Sequence, residues 1–420
     1  MVAIVLNTKI SNLSFINYDP LMFNIVLSIM ACIVLLFEIV PWIVRNKLCT
    51  DPKNSILHYS LIKRVRSACL NSGIYTLSSS DIANIPIIKL KISNDKSRAT
   101  LKIRNSVDIE KKLENVNFSS VLGKYVVVNQ GKTRDEDWYK YELEDRSVNP
   151  KMIFNSANSF KKFNQNYTED EIFIDNSHAI KMQSALIVGQ TGSGKTYSLY
   201  AFILQMIMRE NEYDVFIADP KKSGLYVFGK KLNNQRVATS FEEIESMIKE
   251  FYGNMTERKK ELGQKMENDL NSTYLDFGYP PSVLIIDEFA LFKSILDTKK
   301  KDERDKIQSM LNQIIWQGRQ LGVFIWIAMQ KSGSDSIPTS LRENLPFKLV
   351  LGNAEPQTYV TAFGTGVKVP NQFLNLGEGL FICPGVANTP QICSIPTLNF
   401  NPLDGIGSAG NVITGAPPEK

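Results

Sequence analysis

The sequence predicts an α/β protein in which a P-loop unit with a mainly parallel sheet follows a transmembrane helix and a small α+β domain. Three observations carry this. The apolar run 185–188 leads into Gly189-Gln190-Thr191-Gly192-Ser193-Gly194-Lys195-Thr196, the pattern G-x-x-x-x-G-K-T. A second apolar run, 283–286, stops at the adjacent carboxylates Asp287 and Glu288. From Ile172 onward, strand-length apolar runs alternate with helix-length stretches, the order that lays helices on the faces of a parallel sheet.

The 420 residues suffice for about two to three domains. A net charge of +5 is compatible with an anionic partner, nucleic acid or lipid, and singles out neither. Five cysteines without a CxxC spacing point to a reduced chain free of disulfides, and two histidines argue against a His-based zinc site.

In chain order, residues 1–20 form a short N-terminal segment. Residues 21–44 hold one charge, Glu38; at 1.5 Å per residue they reach about 36 Å, enough to cross a bilayer with some tilt. A secretory signal would have a basic leader, a shorter apolar core and small residues at a cleavage site. Here the leader holds only Lys9, and the run ends at Pro41-Trp42. Arg45, Lys47 and Lys53 follow, so the positive-inside rule predicts a single-pass protein of the cell membrane whose bulk is cytoplasmic. Trp42 is expected at the interface, and Glu38 near the cytoplasmic end.

Residues 55–175 read as a small α+β adaptor domain and linker. Tyr59 to Asn71 has the pattern of an amphipathic helix near the membrane, with Lys63, Arg64 and Arg66 in its basic cluster. Strands are expected at 87–92 and 99–104, a helix at 109–114, and a hairpin from 125–128 and 138–143. The alternating lysines fit the wet face of a sheet better than a DNA surface. Residues 155–170, rich in Asn, Ser and Lys, read as a linker.

The nucleotide-binding unit is expected over 176–398. Glycines at 189, 192 and 194 let successive backbone N–H groups curl round a phosphate, and the helix opening at Lys195 adds its positive dipole end. In this pattern Lys195 reaches the β- and γ-phosphates of ATP, and Thr196 offers its hydroxyl to Mg²⁺. Asp287, at the end of its strand, would hold the same Mg²⁺, and Glu288 would polarise the attacking water. An adjacent glutamate favours hydrolysis over nucleotide sensing. Further strands are expected at 213–218, 323–329 and 345–352, a closing hairpin from 378–383 and 392–395, and long helices at 241–262 and 302–319. Gln330, at the end of the strand after the carboxylate pair, is placed to face the γ-phosphate. Residues 399–420, rich in Gly, Pro and Asn, read as a disordered tail.

The stretches GQTGSGKT, IADPKKSG, LIIDEFALF, QGRQLGVFIWIAMQ and LRENLPFKLVLG, in that order, resemble the FtsK/SpoIIIE/HerA family over about residues 180–385. The resemblance implies a RecA-like P-loop ATPase that assembles as a homo-hexamer and moves DNA through a central pore. By motif, Arg319 resembles the arginine finger that completes a neighbouring subunit's site, and Asp219 the residue ending the family's second strand. Lys331 and Arg342 resemble pore-loop residues that touch DNA phosphates. One membrane helix and one P-loop resemble the coupling proteins of Gram-positive conjugative plasmids and integrative conjugative elements, which implies a relaxase or relaxosome and conjugation channel proteins as partners. The rival readings are a DNA pump for chromosome segregation or division, a protein-secretion ATPase, and a nucleotide-gated scaffold. The last is disfavoured by Asp287-Glu288.

Overall fold

The computed structural model describes residues 20–45, 52–78, 81–145, 151–266, 272–331, 336–367, 369–370 and 373–408. The chain divides into two compact units, Met1–Ser147 and Val148–Lys420. The break falls at 147/148, earlier than the 175/176 boundary that composition predicts.

The first unit opens with helix α1 (Pro20–Arg45), whose window Asn24–Pro41 has a mean hydropathy of 2.3. It is long and apolar enough to cross a membrane, and the described side chains of that window are exposed. The side chains of Glu38 and Trp42 lie outside the described ones, as do residues 1–19 and Lys47. Helix α2 (Pro52–Asn71) buries Leu61, Val65 and Cys69, which recur every four residues along one stripe. That stripe belongs to the unit's own core, with Leu101, Ile103, Tyr141 and Leu143.

The strands of that core are β1 (Ile88–Ile92), β2 (Arg98–Arg104), β3 (Tyr125–Lys132) and β4 (Trp138–Asp145), an antiparallel sheet ordered β1-β2-β4-β3. Helix α3 (Glu110–Asn115) is fixed to β4 by a 2.7 Å bond from the Tyr141 hydroxyl to the Leu113 carbonyl. Lys89 and Lys91 stand on the exposed face of β1.

The second unit starts where a linker was expected. The short strand β5 (Ile153–Phe154) precedes helix α4 (Ala157–Asn164), which is capped by Ser156 accepting from the Ser159 N–H. The polar composition conceals an aromatic set, in which Phe154, Phe160, Phe163 and Tyr167 pack on Phe173. Buried Arg209 ties the segment down by donating to the carbonyls of Asn164, Tyr167 and Glu171. A hairpin of β6 (Glu171–Phe173) and β7 (Ala179–Lys181) then leads to the central sheet.

In chain order that sheet contains β8 (Ala185–Gly189), β9 (Asp214–Ala218), β10 (Val237–Ala238), β11 (Ser282–Ile286), β12 (Val323–Met329), β13 (Phe347–Leu351), β14 (Glu378–Cys383) and β15 (Ala387–Ser394). In space the order is β10-β9-β11-β12-β8-β13-β14-β15. The first six are parallel, β14 pairs antiparallel with β13 and β15 antiparallel with β14, so the expected mainly parallel sheet and closing hairpin are both present. Strands β8, β11 and β12 are buried along their whole length, which explains their unbroken apolar sequence.

The flanking helices are α5 (Lys195–Ile207), α6 (Gly224–Asn233), α7 (Phe241–Met266), α8 (Phe289–Leu296), α9 (Lys301–Leu321), α10 (Thr339–Glu343) and α11 (Pro356–Phe363). A last pairing of β16 (Thr397–Leu398) with β5 precedes helix α12 (Pro402–Ser408), which buries Ile406. Residues 402–408 are thus structured, against the expectation of a tail disordered from 399. Glycines at 405 and 407 raised the polar count, while Leu403 and Ile406 supply the apolar contacts. Residues 409–420 lie outside the described residues.

Candidate nucleotide-binding and hydrolysis site

The chain leaves β8 toward β9 on one side of the sheet, while β13 lies on its other side. That reversal opens a crevice at the carboxyl ends of the strands, where open α/β sheets bind ligands. Gly189, Asp287 and Gln330 follow or end β8, β11 and β12, so they share this edge.

The loop 189–196 is shaped by what it lacks. A Cβ on Gly189 would lie 2.5 Å from the Ser193 hydroxyl and 3.2 Å from the Lys195 Cβ. Gly194 caps α5 at φ +95°, a left-handed conformation that few side chains tolerate. Gly377 closes over the loop, donating its N–H to the Ser193 carbonyl at 3.4 Å. The Ser193 hydroxyl is buried without a hydrogen-bond partner, and Lys195 and Ser193 are both buried. An orphaned hydroxyl, a glycine cradle and a helix N-terminus together fit a phosphate chain.

Across the crevice, Lys195 Nζ pairs with Asp287 Oδ1 and lies 3.9 Å from Glu288 Oε2. Asp287 Oδ1 also accepts the Glu288 N–H at 3.0 Å. Glu288 has φ 53° and ψ 50°, a strained conformation for a residue with a side chain, at the N-cap of α8. Both carboxylates are buried. Neighbouring Tyr200 has its hydroxyl pushed up to about 12, first by burial, then by Tyr197, Asp219 and Asp287. Its phenol stays neutral beside the carboxylates.

The structure thus brings Lys195, Asp287 and Glu288 together, with half-buried Thr196 on the first turn of α5 and half-buried Gln330 at the same sheet edge. Arg319 is elsewhere. It lies near the C-terminal end of α9, just before β12 begins, and lines a cavity of about 630 Å³ with Lys181, Lys259, Tyr274, Trp316 and Phe324. The seven residues of β12 span about 23 Å, so Arg319 and the phosphate loop stand at opposite ends of the sheet.

Lys331 follows β12 at the phosphate edge and forms an exposed 3.0 Å ion pair with Glu355. Arg342, in α10, is close enough to Lys348 of β13 to help burial push that lysine below its usual range. Lys348 sits toward the start of β13, whereas Lys331 follows the end of β12.

Sequence patterning missed Lys221. It lies in the turn after β9, with Nζ 3.0 Å from Glu288 Oε2. The signal was the polar string Asp219-Pro220-Lys221-Lys222-Ser223 at a strand end, but its partner depends on β9 pairing with β11.

Residues 162–276 match the family model described as FtsK/SpoIIIE family. The chain is similar to the Ftsk domain-containing protein YdcQ of Bacillus subtilis (strain 168), with 29% identity over 188 residues, 44% of this chain and 37% of that protein. It is similar to the DNA translocase FtsK of Vibrio vulnificus (strain CMCP6), with 22% identity over 244 residues, 50% of this chain and 24% of that protein. The matched stretch therefore spans little more than a third of the first relative and about a quarter of the second. A solved structure described as the pCW3 conjugation coupling protein TcpA, monomer form with ATPgS, is 14% identical, covering 80% of this chain and 94% of that one at a TM-score of 0.49, a likeness too distant to bear on function. The phosphate loop and carboxylate pair thus stand at the switch point of a parallel sheet, in a unit of which residues 162–276 are similar to the FtsK/SpoIIIE family.

Proposed function

We propose that this protein is a membrane-anchored, ATP-driven DNA translocase that serves as the coupling protein of a conjugative DNA transfer system. The observation that carries the ATPase part is the buried meeting of Lys195 with Asp287 and Glu288 beside an orphaned Ser193 hydroxyl. Backbone N–H groups of 189–194 and the Lys195 ammonium bind the phosphates of ATP. Thr196 and Asp287 would hold magnesium, which would supply Lewis-acid neutralisation of phosphate charge. Glu288 takes the proton of the attacking water, and Gln330 orients that water or the terminal phosphate.

Arg319 supports a ring reading. At the far end of the sheet it is out of reach of its own phosphate loop, and it makes no ion pair among the described residues. In a homo-hexamer it enters the neighbouring subunit's site. Lys331 and Arg342 contact DNA phosphates at different depths of the pore, and such contacts permit sliding because they carry no sequence information. Helix α1 anchors the chain in the cell membrane as a single pass with the ATPase unit cytoplasmic, and the relaxase or relaxosome and channel proteins are the partners. The conjugative role rests on the combination, among the described residues, of an apolar helix, a small α+β unit and a P-loop unit.

The test is steady-state ATP hydrolysis with and without double- and single-stranded DNA. DNA is expected to raise the rate several-fold, less so as salt rises, and Lys195→Ala is expected to be inactive. Lys195-dependent turnover indifferent to DNA at low salt would remove the DNA function and leave protein secretion as the reading.

A further inference from the structure

Lys221 gains a role only once the fold is known. We propose that Lys221 is a positioning residue that aims the Glu288 carboxylate during hydrolysis, an inference that rests on the hydrolysis reading above. Glu288 Oε2 lies 3.0 Å from Lys221 Nζ and 3.9 Å from Lys195 Nζ. Lys195 is the ammonium that the phosphates recruit. When it turns to them, Lys221 is the cation that stays with Glu288.

The turn carrying Lys221 is built to hold it there. Asp219 is fully buried, and its Oδ1 accepts the Lys221 N–H at 3.0 Å. Its Oδ2 accepts from the Ser223 N–H at 2.8 Å, the Ser223 hydroxyl at 2.7 Å and the Tyr226 N–H at 3.1 Å. The backbone is thus pinned on both sides of Lys222, which itself has φ 53°. Asp219, singled out in the sequence as a strand-end residue, acts on this turn, and among the described residues its carboxylate makes no hydrogen bond or ion pair with Lys195 or Glu288.

Glu288 needs an external anchor. It sits in the left-handed region at the start of α8, and its carboxylate caps none of that helix's N–H groups. Its side chain is 10% exposed and that of Lys221 is 39% exposed, so the lysine is the more solvent-facing member of the pair. With Oε2 held by Lys221, Oε1 is left for water and has no hydrogen bond among the described residues. As the water oxygen bonds to the terminal phosphorus and the bond to the ADP oxygen breaks, the water's proton passes to Oε1.

The experiment compares ATP kinetics and melting temperature for the full-length protein, Lys221→Met and Lys221→Arg, with Lys195→Ala as control. Lys221→Met is expected to lower kcat at least about tenfold, a share of the roughly 10²–10⁴ that a general base supplies. The KM for ATP stays within about twofold, because Lys221 acts on the base and not on ground-state binding. Lys221→Arg, which keeps the cation, restores most of kcat. An unchanged or raised kcat in Lys221→Met overturns the inference, as does a loss shared by Lys221→Arg and accompanied by a lower melting temperature, which would mark a structural role. If Lys195→Ala still hydrolyses ATP, the hydrolysis reading itself fails. If turnover is Lys195-dependent and Lys221→Met matches the wild type, only this inference fails.

Discussion

Lys195, Lys221, Asp287 and Glu288 place two ammonium groups against two carboxylates in one crevice. Removing one member of a buried set strands its partner's charge, which costs more than the pair contributes. Lys195→Met and Asp287→Asn are therefore each expected to destabilise the nucleotide-free protein, while the double variant loses less than the sum. A coupling of about 0.5–3 kcal/mol from denaturant titrations of the four proteins checks this. Glu288→Gln keeps the shape of the carboxyl group and loses its basicity. It is expected to bind ATP as the wild type does and to turn it over about 10²-fold more slowly or worse, as read by nucleotide binding beside steady-state rates. Lys195, Asp287 and Glu288 were legible because each stands at a fixed offset from an apolar strand. Lys221 was not, since its contact with Glu288 is made across two strands joined by a long excursion.

At the scale of elements, two helix features make separate predictions. Helix α7 opens with a capping box. The Glu243 N–H donates to the Ser240 hydroxyl at 3.2 Å, and the Glu243 carboxylate accepts the N–H groups of Ser240 at 3.0 Å and Thr239 at 2.8 Å. Ser240→Ala is expected to cost about 1 kcal/mol in denaturant titration. The N–H groups of Ser240 and then Thr239 hold the Glu243 carboxyl at about 2, below its ordinary 4.5. A depressed carboxyl stabilises fully above its unfolded value and loses that contribution as pH falls through the folded one. The stability gap between wild type and Glu243→Gln is thus expected to be constant above about pH 4.5 and to shrink toward pH 2. Helix α9 packs on β12 through Gly318, where an added Cβ would collide with the Val323 carbonyl oxygen. Gly318→Ala is expected to destabilise by about 1–3 kcal/mol, although alanine is the better helix former, because overpacking outweighs propensity here. A melting temperature unchanged or raised in Gly318→Ala would contradict that close approach.

For the whole molecule, the separation of Arg319 from the phosphate loop makes a prediction that no single subunit can meet. Lys195→Ala and Arg319→Ala are each expected to be inactive alone. Mixed and allowed to exchange subunits, they are expected to regain a fraction of the wild-type rate, because some interfaces then join an intact loop to an intact Arg319. No recovery in mixed rings of demonstrated mixed composition would remove the trans role. At this scale the sequence also misplaced the start of the larger unit. Residues 155–170 have a linker's composition, yet Phe160, Phe163 and Tyr167 recur at helical spacing and close an aromatic cluster on Phe173. Composition averages over a segment, whereas burial depends on where its few apolar residues fall.

Sequence by itself determined what is local in the chain: the strands of the parallel sheet, the phosphate loop with Lys195 and Thr196, and the Asp287-Glu288 pair. A strand buried on both faces must be apolar throughout, and a loop that wraps phosphate must be glycine-rich, so both constraints leave marks on consecutive residues. Only the tertiary structure decided which distant residues meet. Strand order set Lys221 against Glu288 and held Arg319 a strand's length from its own phosphate loop. Pairing of β16 with β5 and packing of α12 brought 397–408 into the core of the same unit. Such contacts follow from strand order and the pairing of distant segments, which consecutive residues do not record.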